Sequence, residues 1–507
     1  MRYMYLLFVI IFVFFNLSTA SAQSFEEYKR QQQAKYNNYV QKKTEEFRAY
    51  RDRVNAEYGE FMRKAWTREE AQPAKPLPKR PEPPMPVVRD PLTIPQFDPI
   101  PFEDIIVPKI PDFKKPEPII PVDELEGLHE EVAPEAKPKP QEETKPVTKP
   151  EGLAFKWCGQ TWRVPLEPQH RFRLRSTKES DVADAWKILS GAKYAGIVAA
   201  CLKIRDSYQL PDWGYLHFLE AMANAFLPGM SNEARLLEMF ILSQSGYQVR
   251  IARFNEQLCL LVPSSGEIYE YSYMTFNGRR FYVIGDMSGR ASFHVYERDF
   301  PREQPFVWQM KELPRLSAEC VTRTLKAQRH PGVQATVSVS KGLVDFMKDY
   351  PRCNDWDAYA LASLSEQAKE GLYPVLRRNI AGKDKVEAVE ILLNFVQTAF
   401  KYQTDEQQFG KERPLFGDET LYYPYCDCED RSILFSTLVR ELVGLDVVLL
   451  NYPQHLATAV QFDEDVQGDY MMINGKRYVV CDPTYIGSHV GEAMPNYKNT
   501  KATIIKL

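Results

Sequence analysis

The hydrophobic pattern changes its period along the chain, and each change predicts a different kind of structure. Positions 6–15 form an unbroken apolar run, LLFVIIFVFF. From 25 to 68 an eleven-residue unit repeats as FEEYKRQQQAK, YNNYVQKKTEE, FRAYRDRVNAE and YGEFMRKAWTR. Each unit opens aromatic-x-x-aromatic: Phe25/Tyr28, Tyr36/Tyr39, Phe47/Tyr50 and Tyr58/Phe61. Eleven residues close three turns at about 3.67 residues per turn, so the aromatics line one stripe of a charged helix about 65 Å long. A lone helix cannot cover its own stripe. The stripe implies packing on the same chain, self-association, or a docked partner of the cell envelope.

Globular patterning begins at 153. Residues 155–164 alternate like a strand pair, with Trp157 and Trp162. Helical spacing follows at 181–189, 196–207, 215–226 and 232–243. Strand patterns cover 247–254 and 257–263, then a hairpin over 268–284 around Asn277-Gly278. The same order returns near the C-terminus. A helix over 429–442 stops at Gly444, strands cover 446–452 and 455–462, and a hairpin over 470–481 turns at Asn474-Gly475. Superposing the two stretches sets Gly246 on Gly444, Met230 on Cys428 and Gln257 on His455. Two extra residues in the first copy then set Asp286 opposite Asp482. The pattern predicts a duplicated module whose first copy lacks thiol and imidazole. Between the copies, 291–339 alternates like strands. The stretch 342–400 reads as mostly helical, with helices at 343–349, 356–371 and 384–400.

Composition divides the chain further. At 507 residues, one core is too few. More than half of the 37 prolines lie between 72 and 150. Proline lacks the donor that helix or sheet requires, so this stretch predicts a disordered, semi-rigid spacer. Its apolar islands Ile105-Ile106-Val107 and Ile119-Ile120 are placed to dock on a neighbouring surface. Residues 1–22 read as a secretory signal, with Arg2, the apolar run and Ala20-Ser21-Ala22 as cleavage site. An uncleaved anchor is the alternative, although the run is short for a span. No later run is long enough to cross a bilayer, so no stable transmembrane span is expected after cleavage. Net charge is -4, which gives no electrostatic case for nucleic acid. The predicted organisation is a signal (1–22), a helical arm (23–70), a Pro-rich linker (71–150), a degenerate module (151–290), a β-rich connector (291–341) and a catalytic module (342–507). The expected location is periplasmic or secreted.

Candidate chemistry gathers in the last module. Cys428 opens a helix, His455 opens a strand, and Asp482 ends another strand before Pro483. A thiol, an imidazole and a carboxylate in separate elements suit nucleophilic acyl chemistry. The thiol attacks a carbonyl, the imidazole moves the proton, and the carboxylate orients the imidazole. A helix start favours thiolate through its free N–H groups. Glu429 and Asp430 oppose that, which leaves much of the activation to His455. His489, after Gly487-Ser488, is a competing base. Export permits disulfides for the eight cysteines, but a nucleophilic Cys428 stays unpaired. A zinc site from Cys426, Cys428, His455 and Cys481 has suitable ligand types but poor spacing. No metal or other cofactor is expected.

The segment 390–485 resembles the transglutaminase-like (papain-like thiol) superfamily in its bacterial form. The resemblance rests on Asp427-Cys428-Glu429-Asp430, His455, Asp482-Pro483, Phe400-Lys401-Tyr402 and Glu419-Thr420-Leu421. It implies an α+β fold, a helix packed on an antiparallel sheet. It also implies a cysteine peptidase or amidase acting on protein or peptide substrates, with protein cross-linking ranked lower. Gln397 and Tyr402 are the candidate oxyanion donors. The alternative is an inactive scaffold or binding protein of the envelope.

Overall fold

A computed structural model describes the backbone of residues 2–77, 85–92, 95–119, 152–264, 266–285, 291–353 and 355–507, with side chains from residue 27 onward apart from Ala192. The described residues are α+β, with twelve α-helices and two six-stranded sheets.

The chain starts with one long helix, α1 (Arg2–Met62), covering both the expected signal and most of the arm. Its last turns dock. Val54, Tyr58 and Met62 are buried, and burying an aliphatic side chain contributes roughly 2 kcal/mol. Asn55 and Gln244 exchange amide hydrogen bonds of 3.2 and 3.0 Å. The aromatic stripe is thus divided. Tyr58 lies inside the core, while Tyr28, Tyr36 and Tyr39 stay exposed. No helix among the described residues is long and apolar enough to cross a membrane.

Two short strands follow, β1 (Thr67–Glu70) and β2 (Phe102–Ile106), then the hairpin β3 (Leu153–Trp157) and β4 (Gln160–Val164). Four helices come next: α2 (Glu179–Leu189), α3 (Ala195–Ser207), α4 (Asp212–Phe226) and α5 (Ser231–Gln244). The first large sheet uses β5 (Arg250–Phe254), β6 (Gln257–Ser264), β7 (Tyr273–Phe276), β8 (Arg279–Ile284) and β9 (Ser292–Val295). A separate hairpin, β10 (Cys320–Lys326) and β11 (Gln334–Ser340), leads into α6 (Lys341–Lys348), α7 (Trp356–Ala360), α8 (Glu366–Ile380) and α9 (Lys385–Ala399). The site region holds β12 (Lys401–Tyr402), α10 (Asp405–Phe409), α11 (Gly417–Tyr422), β13 (Tyr425–Cys426) and α12 (Cys428–Leu442). The second large sheet is β14 (Asp446–Tyr452), β15 (His455–Gln461), β16 (Tyr470–Ile473), β17 (Lys476–Cys481) and β18 (Ala502–Lys506).

The two sheets are built alike. One runs β7-β8-β6-β5-β9-β1, the other β16-β17-β15-β14-β18-β2. Phe254 faces Gln257 as Tyr452 faces His455. Both outer hairpins turn on Asn-Gly with positive φ at each residue (51° and 77°, 52° and 77°), the two-residue turn that matches strand twist. The register corrects one detail. Leu260 pairs Ile284 where Thr458 pairs Cys481, so Gly285, not Asp286, lies level with Asp482. Asp286 itself lies outside the described residues.

Three other expectations change. The helix expected over 356–371 is two helices, because Ser365 caps α8 by accepting from Ala368 N–H and so starts a new helix. The boundary placed at 290 falls inside the first sheet, since β9 completes it. The Pro-rich stretch is not a uniformly unfolded spacer. Its non-proline residues keep their donors, and Ile100 N–H reaches Tyr470 O at 2.7 Å while Ile119 N–H reaches Gln244 O at 2.7 Å. The proline-free FEDII forms β2, parallel to β18. Residues 120–151 lie outside the described residues.

Candidate active site

Three elements carry the three expected residues, and two of them, His455 and Asp482, meet. α12 is capped from within its first turn: Asp430 Oδ2 accepts from Asp427 N–H at 3.2 Å. The second Asp430 oxygen accepts from Leu415 N–H at 2.9 Å, which ties the helix start to the preceding loop. One turn beyond Cys428 on the same face, Ser432 Oγ donates to Leu456 O at 2.8 Å. That bond holds the Cys428 face of the helix against the start of β15.

The tight β14–β15 hairpin presents His455 at the sheet's end. Because Thr458 pairs with Cys481, Asp482 emerges level with Ala457, diagonally across from His455 on the same face. His455 Nε2 and Asp482 Oδ2 are 2.8 Å apart. Asp482 Oδ1 accepts from Thr484 N–H at 2.9 Å, which fixes the carboxylate. With Nε2 committed to Asp482, Nδ1 is the nitrogen left for proton transfer.

The backbone of Leu456, on the same strand, acts to lower the pKa of the sulfur. Its side-chain partner, however, is Glu429, whose Oε2 accepts the S–H at 2.9 Å. No hydrogen bond joins Cys428 to His455 among the described residues. Burial pushes the Cys428 thiol well up, and the charges of Glu429 and then Asp427 push it further. The helix-start field does not win, and this state holds a thiol rather than a thiolate. Cys428 and His455 are 2% and 4% exposed, so both are closed to solvent. Tyr497 stacks on His455, its ring 4.8 Å from the imidazole at an interplanar angle of 29°.

No family model, curated protein or solved structure matches this chain.

The neighbouring candidates separate clearly. Gln397 spends its amide nitrogen on Tyr485 O at 2.9 Å and Ser488 Oγ at 3.0 Å, with Asp482 O at 3.3 Å. It therefore shapes the loop carrying Asp482 and has no donor left for an oxyanion. Tyr402 lies closer to the chemistry. Burial first and the Cys428 sulfur second push its hydroxyl up, and the Arg431 guanidinium lies 5.5 Å over its ring. His489 is bonded to Glu390 at 2.6 Å rather than to Cys428 or Asp482. All eight cysteines are free. Cys426 is buried, which pushes its thiol up to about 11. In the first sheet the matching positions hold Met230, Gln257 and Gly285, which supply no triad. Tyr497 had no sequence signal; it is one aromatic in a loop.

The zinc set weighed from the sequence, Cys426, Cys428, His455 and Cys481, is not among the groups that converge in the described residues. The groups that do are carboxylates: Asp405 with Asp427 and Asp430, and Asp405 with Glu412 and Glu429. Burial, then neighbouring carboxylates, raise the pKa of Asp405, Asp427 and Asp430 well above the usual range. A raised folded pKa gives stability that is complete below the unfolded value, near pH 4, and is lost as pH climbs through the folded value. Asp405→Asn removes one such acid and keeps an oxygen for Arg413 N–H, which Asp405 Oδ2 accepts at 2.6 Å. Thermal melting at neutral pH should therefore shift upward by a few degrees, about 1 kcal/mol. The gain should vanish below pH 4, and a gain of equal size at both pH values would show that repulsion is not its source.

Proposed function

We propose that this chain is an exported thiol acyl-transfer enzyme of the transglutaminase-like superfamily. Cys428 is the nucleophile, His455 the general base and acid, and Asp482 the group that orients the imidazole. Its substrates are protein or peptide amides. Hydrolysis ranks above amine transfer, as the resemblance implies. The 2.8 Å bond between His455 Nε2 and Asp482 Oδ2 carries the reading. It fixes the tautomer that leaves Nδ1 able to accept a thiol proton.

The chemistry follows from those positions. Nδ1 takes the S–H proton as sulfur bonds to the amide carbon. The imidazolium, stabilised by Asp482, returns that proton to the leaving amine. Water, activated by the same nitrogen, then releases the acid and restores the thiol. Periplasmic or secreted location belongs to the same proposal and rests on residues 1–22.

A catalytically silent scaffold is the second reading. It is favoured by the thiol's bond to Glu429 and by the first module's lack of a triad. The test is turnover of a quenched-fluorescent peptide library and of envelope proteins by wild type and Cys428→Ala. Turnover by the wild type alone is the expected result. Equal turnover by both supports the scaffold.

A further inference from the structure

The Pro-rich stretch lies on the loop whose Tyr497 stacks on His455. Strap residues 85–92 and 95–106 run along the loop over 485–500. Ile486 N–H donates to Val87 O at 2.9 Å, and Arg89 N–H returns a bond to Ile486 O at 2.8 Å. Arg89 then pairs with Glu492 at 2.7 Å, with side chains only 18% and 8% exposed. Asp469 clasps both pieces. Its Oδ1 accepts from Asp98 N–H of the strap at 2.9 Å. Its Oδ2 accepts from Ala493 N–H of the loop at 2.9 Å, and Lys498 of the loop lies 3.1 Å from the same carboxylate. Ile100 is buried in one apolar cluster with Ala493, Met494 and Tyr497. Tyr497 is the ring stacked on His455.

We propose that this segment is an autoinhibitory strap. It holds the 485–500 loop, and Tyr497 with it, over Cys428 and His455, and substrate reaches the sulfur only when the strap lifts. The proposal rests on Cys428 being the reactive thiol. A Cys428 side chain only 2% exposed, next to an imidazole stacked under Tyr497 in the proposed site, cannot meet a peptide carbonyl in the closed state. The covering loop has its own bonds to the strap, so freeing the strap frees the cover. A strap that merely filled a gap in the core would change stability without changing access to sulfur.

The experiment compares wild type with Arg89→Ala and Lys498→Met, each as the full chain. Iodoacetamide modification is followed cysteine by cysteine by mass spectrometry, and hydrogen exchange is followed over 485–500. Exposed Cys320 serves as the internal reference. Cys428 modification should quicken at least fivefold in either variant, together with faster exchange over the loop, while Cys320 keeps its rate. Arg89→Lys should fall between. Faster loop exchange with an unchanged Cys428 rate overturns the proposal. So does a wild-type Cys428 that reacts as fast as Cys320. Alkylation needs access but no triad. Faster labelling without amide turnover in any variant would therefore support the strap while sinking the catalytic reading. Wild-type turnover with labelling unaltered would do the reverse.

Discussion

Replacing Asp482 with asparagine should lower amide turnover by about three to four orders of magnitude while the fold survives. Asp482 uses its two oxygens differently. Oδ1 accepts from Thr484 N–H, and Oδ2 meets His455 Nε2. Asparagine keeps an oxygen for Thr484, so the turn after β17 remains. The amide nitrogen then faces Nε2 and donates to it, which moves the imidazole proton to Nδ1. An Nδ1–H cannot accept the thiol proton, so the wrong tautomer is locked in place. The developing imidazolium also loses its counter-charge. The comparison is the catalytic rate with wild type, alongside circular dichroism and melting. A loss below tenfold with intact structure would mean that His455 is not the base.

Much of this arrangement is legible in the sequence, and the reasons are local. Asn474-Gly475 demanded a two-residue turn, and that turn sets the β16–β17 register. The Gly444 stop and Asp427 start fixed α12, which put Cys428 in the first turn. What failed to show depends on contacts between distant segments. The offset between Gly285 and Asp286 is one residue in loop length, invisible until strands pair. The strap escaped because proline content hides the donors of Ile100 and Arg89 that lie between the prolines. Tyr497 carries no periodic signal, and its role appears only once the loop folds over His455. Gln397 reads from the sequence as a candidate oxyanion donor, but its amide is spent on acceptors 88 and 91 residues further along the chain. The partnership of Cys428 with Glu429 is a rotamer choice, and sequence spacing does not encode it.

That rotamer choice leads to the second large effect. Glu429→Gln should speed iodoacetamide modification of Cys428 about tenfold at pH 7 and move the half-maximal rate to lower pH. In the closed state the S–H donates to a carboxylate 2.9 Å away, and that charge opposes ionisation of the thiol. Glutamine removes the charge and leaves the sulfur free to bond Nδ1 of His455, where a thiolate–imidazolium pair can form. The gain is smaller than the thiolate fraction alone suggests. Each pKa unit removed raises that fraction about tenfold but lowers thiolate nucleophilicity about threefold, a net factor of about three. A tenfold effect therefore requires both the lost charge and the new imidazole bond. The double variant Glu429→Gln/His455→Ala separates the two, and it should return a gain of about threefold. Equal gains with and without His455 would place the whole effect on the carboxylate and leave the imidazole without a part in activating Cys428. No gain in either would mean that burial alone holds the proton on sulfur, consistent with its place as the first cause of the raised thiol pKa.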